Sequence, residues 1–435
     1  MKKNKTSKMM AAGLLAAAVL GVTSVEAQSV DTLLDKLVEK GVLTNKEAKT
    51  LREESDKDFT KAYSSKNGMP EWVTSMTWKG DTRLRYDHVE ADNAGAMSRG
   101  RYRFRLRYGV EATLTEGFAT GFRMASGGTS DPISTNQSFT DNGTKKSLTL
   151  DTAYARWTAI SNADLSLEFT GGKMENIFVG KNLKFSDSVF DSDYTPEGVA
   201  VEAVWKFNPQ HDLALGFGAF MLSETSASQD EATLLVYKAQ LNSMWSSNLI
   251  TTVGFGGYVA DNLGLVPSAG TGANTASNTS GQSFSPLIAD ASATYLLESF
   301  PLYTGAFPIT VAGEYIINPQ SPDNERTGWS AGVTFGKSGK KGLWDLSYRY
   351  KDLQKNAVWE DISDSDFGAA IVTTANTHSY AAGTGVRGHI IQGQYSFTDA
   401  FNASLKWFWT ENTAAAAAAQ SLDTHRVQLD LVFKF

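Results

Sequence analysis

Arginines spaced two residues apart are the most prominent chemical groups in the first third of the chain. They are Arg83, Arg85, Arg101, Arg103, Arg105 and Arg107. Because successive side chains of a β-strand point to opposite faces, this spacing places each set on one face of its strand. A row of guanidinium groups on one face selects among ions by charge, and it makes and breaks no bonds.

Groups suited to catalysis are scarce by comparison. The 435 residues contain no cysteine and only five histidines, which rules out a thiol nucleophile, a cysteine zinc site and a disulfide framework. His88 with Asp87 and Ser98 is the best hydrolase-like set, and no motif supports it. We therefore expect no enzyme activity, no cofactor and no metal.

Two further observations bear on partners. Glu360, Asp361, Asp364 and Asp366 could bind a divalent cation through their oxygens, but a solvated surface loop is the reading that we favour. The formal net charge of -7 argues against nucleic acid as a partner, since nucleic-acid-binding proteins usually carry a basic surplus.

The elements that carry the charges alternate apolar and polar residues with a period of two. Residues 344–351, WDLSYRYK, are one example. Such segments run to roughly 10–14 residues, longer than the usual strand of about 5–6 and long enough for a tilted transmembrane strand of about 9–11. Their polar faces carry full charges, which the packed core of a soluble β-sandwich would not accept.

Counting these segments predicts an all-β fold, a transmembrane antiparallel β-barrel of about sixteen strands within residues 71–435. The predicted strands are 78–88, 100–114, 118–126, 148–159, 164–173, 198–207, 211–223, 232–245, 248–260, 288–298, 306–317, 327–338, 343–353, 387–398, 400–412 and 425–435. Short turns alternate with long loops, as in outer-membrane barrels. A barrel of this size leaves an aqueous channel.

The two ends of the chain predict its route to the membrane. Residues 1–27 have the basic start, apolar stretch and small-residue cleavage site of a secretory signal peptide. Residues 28–70 read as a short helical periplasmic segment and linker. Phe433 and Phe435 end the last alternating segment and resemble the targeting signal of bacterial outer-membrane barrels. This predicts a Gram-negative outer-membrane location and handling by the barrel-assembly machinery.

Five stretches resemble the bacterial putative porin family: TWKGDTRLRYDH, RGRYRFRLRYGVEATL, DTAYARW, GGKMENIF and DSDYTPEGVAVEAVW. The resemblance implies a channel-forming barrel with a short helical N-terminal segment, and passive diffusion of small hydrophilic solutes and ions. It also implies contact with membrane lipid and a homo-oligomer such as a trimer. Residues 174–178 depart from the Asn-Pro-Phe pattern of the family, which puts the shape of this loop's start in doubt.

The third long loop of the predicted barrel, residues 174–197, is the candidate constriction. Its charged residues are Lys181, Lys184, Asp187, Asp191, Asp193 and Glu197. If this loop folds inward, its acids face the arginine wall and create a transverse field that orients dipolar solutes. The alternatives are a loop lying on the surface, a plugged structural or adhesive barrel, and, less favoured, an outer-membrane hydrolase.

Overall fold

The computed structural model describes residues 69–91, 98–224, 231–267, 274, 282–368, 370–374, 377–381, 383–413 and 423–435. The predicted signal peptide, and all but the last two residues of the predicted segment 28–70, lie outside the described residues.

Long antiparallel strands dominate the described part of the chain. The strands are β1 (Val73–Ala91), β2 (Arg99–Leu114), β3 (Phe118–Ser126), β4 (Gln137–Ser138), β5 (Leu148–Ser161), β6 (Leu165–Lys173), β7 (Glu197–Asn208), β8 (His211–Ser223), β9 (Ala232–Met244), β10 (Leu249–Asp261), β11 (Leu287–Leu297), β12 (Phe307–Ile317), β13 (Thr327–Gly336), β14 (Trp344–Leu353), β15 (Ala370–Thr374), β16 (Thr377–Ala381), β17 (Val386–Ser396), β18 (Phe401–Asn412) and β19 (Asp423–Lys434). Short 3₁₀ turns span Thr115–Gly117, Asp141–Gly143, Leu263–Leu265 and Glu360–Ile362. Within these described ranges, no helix is long and apolar enough to cross a membrane.

Sixteen of these strands form a closed barrel in which each pairs with its neighbours along the chain. The ring closes where β1 pairs with β19, from Asp81 opposite Lys434 to Ala91 opposite Thr424. The two-residue β4 adds to β2, and β15 and β16 form a separate hairpin. Because the barrel is closed, no sheet edge is left unpaired. Strands can span a lipid bilayer only when their backbone N–H and C=O groups are paired in this way. The predicted barrel of sixteen strands is confirmed.

The outward faces of the barrel are apolar. Val199, Trp205 and Phe255 are each more than half exposed, although they sit in the middle or near the end of strands. Aromatic rings stack in rows near the short-turn end, with Phe118 and Trp157 centred 5.7 Å apart. Aromatic rows at this level are the interfacial girdle that membrane barrels present to lipid headgroups.

Candidate functional site

The arginine rows face the interior of the barrel. In the register of β1 and β2, Arg83 lies opposite Arg105, and Arg85 lies opposite Arg103. Asp81 and Asp87 share the inward face of β1, because they have the same parity as its arginines. The wall is therefore a mixed lattice of charges in which arginines predominate.

Carboxylates of the same strands neutralise much of this wall. Asp81 accepts from Arg105 at 2.7 Å and from Arg107 at 2.7 Å. Asp87 pairs with Arg101 at 2.6 Å and with Arg426 of β19 at 2.8 Å. These acids were not among the predicted site residues, although their parity with the arginines was visible in the sequence.

A second strand-to-strand pair joins the two sides of the barrel closure. Asp430 of β19 binds Arg85 in a bidentate pair, with distances of 2.7 and 2.8 Å to Nε and Nη2. Two parallel N–H···O bonds fix the orientation of the guanidinium plane, in addition to the attraction between the charges. Arg85 is thereby held flat against the wall.

The segment between β6 and β7, residues 174–196 and called loop A here, lies inside the barrel. Its apolar side chains are almost fully buried: Met174, Phe178, Leu183, Phe185, Val189 and Phe190. They pack against the inward faces of β7 to β10, where Ala214, Leu234, Val236 and Tyr258 are equally buried. Loop A thus fills one side of the lumen with an apolar core.

Glycines in the strand wall make room for loop A. A Cβ added at Gly216 of β8 would overlap the side chain of Leu183, and one at Gly218 would stand 3.0 Å from Phe178. At Gly256 of β10, a Cβ would stand 2.9 Å from Phe185. The wall is therefore smooth on the face that the loop covers.

The charged edge of loop A reaches two separate parts of the wall, β2 and β14. Asp193 lies 3.2 Å from both Arg105 and Arg107 of β2. Asp187 binds Arg349 of β14, with 2.6 Å between Oδ1 and Nη2, and lies 3.2 Å from Lys351.

Neutral and backbone groups secure loop A at further points. The hydroxyls of Ser186 and Ser188 each donate to Glu314 of β12 at 2.6 Å. The backbone N–H of Lys184 donates to Gln240 of β9 at 3.1 Å. Loop A is therefore attached to β2, β9, β12 and β14, and it crosses the lumen between them.

Residues 354–368, called loop B here, form a second inner loop that follows β14. Ala357, Val358, Trp359, Ile362 and Phe367 are buried. The acids Glu360, Asp361 and Asp364 are buried as well, so the reading of this segment as a solvated surface loop was wrong. The apolar residues pack onto loop A and the wall, and they carry the acids into the lumen with them.

Loops A and B are joined through their backbones. The N–H of Asp191 donates to the carbonyl of Ile362 at 2.8 Å, and the N–H of Asp364 donates to the carbonyl of Asp187 at 3.0 Å. Loop B also reaches the arginine wall, because Asp366 lies 3.1 Å from Arg85 and 2.8 Å from Arg426.

Beside the loops lies a cavity of about 1180 Å³. Its lining includes nine basic and ten acidic residues, so its charge is close to balanced. Arg83 and Arg103 lie on one side, and strands β12 to β14 carry small polar groups such as Thr310, Thr334 and Ser347 together with Arg349. A lining of this kind suits water and hydrophilic solutes better than apolar ligands.

A smaller cavity of about 490 Å³ lies against β1, β2, β3 and β5. Arg105 and Arg107 line it together with Glu111, Arg123 and Tyr154. Arg105 and Arg107 are paired to Asp193 of loop A, so this second space adjoins the point where loop A meets the wall.

The other predicted site residues are placed as follows. Lys181 and Lys184 are exposed and line the larger cavity, as do Asp187, Asp191 and Asp193. Within the described ranges, no cluster of three or more His, Asp or Glu side chains is arranged to hold a metal ion.

The position of Glu197 differs from its prediction as one of the charged residues of the constriction loop. It shares the outward face of β7 with Val199 and Val201, and its carboxylate lies 3.0 Å from Lys173. The predicted loop included Glu197, but in the structure strand β7 begins at this residue. Because Glu197 has the same parity as Val199 and Val201, its side chain points away from the lumen.

The predicted C-terminal residues lie at the barrel closure. Phe433 stacks on Phe401 with ring centres 4.5 Å apart. Phe435 exchanges backbone hydrogen bonds with Gly80 of β1, at 2.9 and 3.1 Å. The last strand is thus tied to the first up to its final residue.

Charge states differ along loop A. Burial by itself would raise the pKa of Asp187, but the charges of Arg349 and Lys351 outweigh it and hold that pKa well below its usual value. For Asp191, burial and the neighbouring charges of Asp193 and Asp364 all act in the same direction and raise its pKa well above the usual value. Asp187 is thus a fixed anion, whereas Asp191 can exchange a proton nearer to neutral pH.

Comparison with solved structures shows the same fold in one known protein. OprB of Pseudomonas putida, in a structure determined at high pH, is similar with a TM-score of 0.53 and 11% identity, over 83% of this chain and 94% of that chain. A triple mutant of Rhodopseudomonas blastica porin aligns over 83% of this chain and all of that chain, with 10% identity and a TM-score of 0.42. No curated protein sequence matches significantly.

A family model provides the assignment. The model described as "Putative porin" matches residues 91–256 and 306–435, which together make up more than half of the chain. These ranges contain the inward arginines of β2, the whole of loop A and the last strands of the barrel, β17 to β19. The chain therefore belongs to the putative porin family and forms an outer-membrane porin channel.

Proposed function

We propose that the channel passes small hydrophilic solutes and ions by diffusion, and that its constriction lies where loops A and B face the arginine wall. The observation that carries this proposal is the cavity of about 1180 Å³ beside the loops. Its polar lining leaves a wet path along β11 to β18, while the apolar side of loop A occupies the wall of β7 to β10.

The constriction has basic groups on one side and acidic groups on the other. Arg83 and Arg103 stand on the strand wall, and Asp191 and Asp364 stand on the loops. A field between opposed charges orients a dipolar solute and disfavours a bulky apolar one. Because the lining is nearly balanced in charge, we expect only weak preference between simple anions and cations.

Liposome swelling tests this function against a plugged barrel. Proteoliposomes are transferred into isotonic solutions of neutral sugars of increasing size. We expect rapid swelling with the smallest sugars and a steep fall with size, because the loops narrow the lumen. A barrel plugged by its loops would give no swelling above that of protein-free liposomes with any sugar.

We also propose the route and assembly of the protein. Export would depend on residues 1–27, and recognition by the barrel-assembly machinery on Phe433 and Phe435 of the last strand. The backbone hydrogen bonds between Phe435 and Gly80 support a role for this terminus in closing the barrel. A homo-oligomer such as a trimer is in keeping with the porin family.

A further inference from the structure

Several of the charged side chains that line the larger cavity belong to ion pairs that hold the loops in place. Asp187, Asp193 and Asp366 each lie within 3.2 Å of a guanidinium nitrogen. Removing the charge of Asp187 would leave Arg349 and the buried Lys351 without this carboxylate, and removing that of Asp193 or Asp366 would take one of two carboxylates from its buried arginine partners. Such groups are not available to a passing solute.

Asp191 and Asp364 are different. Asp191 accepts the backbone N–H of Asp193 at 2.7 Å, and Asp364 accepts that of Asp366 at 2.9 Å. Within the described ranges, no lysine, arginine or histidine nitrogen lies within 4.0 Å of either carboxylate. Asp364 is only 6% exposed, and its Oδ2 has no hydrogen-bond partner. A buried carboxylate oxygen with no donor is costly unless a ligand supplies one.

The two carboxylates belong to neighbouring parts of the interlocked loops. The backbone hydrogen bonds between loops A and B hold Asp191 beside Ile362 and Asp364 beside Asp187. Both acids line the larger cavity. A solute that moves along the cavity therefore meets acceptors from both loops, which are near enough for the charge of Asp364 to act on Asp191.

We propose that Asp191 and Asp364 together bind the primary ammonium group of small organic cations inside the channel. This inference rests on the proposed channel function. An ammonium group offers three N–H donors, which suits two carboxylates that line the cavity and have no cationic partner among the described residues. A divalent metal ion needs six or more oxygen ligands, and the described residues hold no cluster of three or more suitable side chains here.

Protons compete with the ammonium group for this site. Burial is the largest cause of the raised pKa of both carboxylates, and nearby carboxylates add to it. The charged groups that face the pair from loop A, loop B, β14 and β18 are Asp187, Asp193, Asp366, Lys351 and Lys406. A raised pKa means that acidification neutralises the pair first, so ammonium binding is expected to strengthen as the pH rises.

The test is current block in planar bilayers at fixed potassium chloride concentration. Butylammonium is the probe, and tetramethylammonium, which has the same charge but no N–H donor, is its control. In the native channel, we expect butylammonium to interrupt the current and tetramethylammonium to do so far less. The block should grow from acidic to alkaline pH.

The variants are Asp191→Asn, Asp364→Asn and the double substitution. The asparagine oxygen can still accept the backbone N–H of Asp193 or Asp366, so the loop turns are preserved while the charge is lost. We expect each variant to conduct, and the double variant to lose about tenfold in affinity for butylammonium, in line with the loss of charge-assisted hydrogen bonds. In the double variant, the block by butylammonium should also no longer depend on pH.

Asp131→Asn is the matched control. Asp131 also lines the cavity and accepts a backbone N–H, from Ile133 at 3.1 Å, but it lies in another loop. An equal loss of block in this variant would overturn the proposal in favour of a general field effect, as would equal block by both probes. A native channel that conducts without block would also overturn it, whereas a native protein that does not conduct would refute the channel function itself.

Discussion

The Arg103→Ala, Arg105→Ala double variant is expected to prefer cations over anions much more strongly than the native channel. Arg105 lies between Asp81 and Asp193, so its removal leaves these two carboxylates to share Arg107 and adds a net negative charge to the wall. Arg103 donates to Ser134 at 3.4 Å and lines the larger cavity. A unit charge about 4 Å from an ion is worth about 1 kcal/mol in water, or roughly fivefold in permeability ratio per charge. The measurement is reversal potential in a potassium chloride gradient.

The conservative variant Arg103→Lys, Arg105→Lys separates charge from structure. It keeps both positive charges but loses the forked hydrogen bonds of Arg105 to Asp81. We expect its ion preference to stay near that of the native channel even if its stability falls. If the alanine variant keeps native selectivity and conductance, the arginine wall does not lie at the constriction.

Asp187→Asn is expected to loosen the edge of loop A. Arg349 and the almost fully buried Lys351 would lose their carboxylate partner. Truncating one member of such a desolvated pair costs on the order of 2–5 kcal/mol. The apolar side of the loop would remain packed on β7 to β10, so we expect the loop edge to move without unfolding of the barrel. Single-channel recordings should show a higher mean current with frequent transitions between levels.

Glu197→Gln is the control for this effect. Glu197 begins β7 directly after loop A, but it points outward and pairs with Lys173. Its substitution should leave the current as steady as that of the native channel. Steady native-like currents in Asp187→Asn would mean that the ion pairs with β14 do not hold the loop.

The barrel could be predicted from the sequence because lipid outside and water inside impose a period of two on every strand. The predicted bounds of β3 (118–126) and β8 (211–223) agree with the structure to the residue. β1 was predicted too short at both ends, since its first residues, Val73 to Thr77, show less regular alternation. The inward direction of the arginines follows from the same parity.

The lumen was harder to predict, because no periodicity governs a loop. Loop B was predicted to lie on the surface because of its acidic residues. The apolar residues Val358, Trp359 and Ile362 between and beside them indicated burial, and this signal was missed. The pairing of Asp187 with Arg349 joins residues 162 positions apart. Contacts at such separation depend on where the loop folds, which the sequence pattern does not encode locally.

Planar-bilayer recording of the native protein tests most directly whether the loops leave an open aqueous path. We expect discrete, stable conductance steps and a small reversal potential in a salt gradient, because the larger cavity beside loop A has a polar lining that is nearly balanced in charge. Folded protein that inserts into the bilayer without conducting would contradict this structure of the lumen.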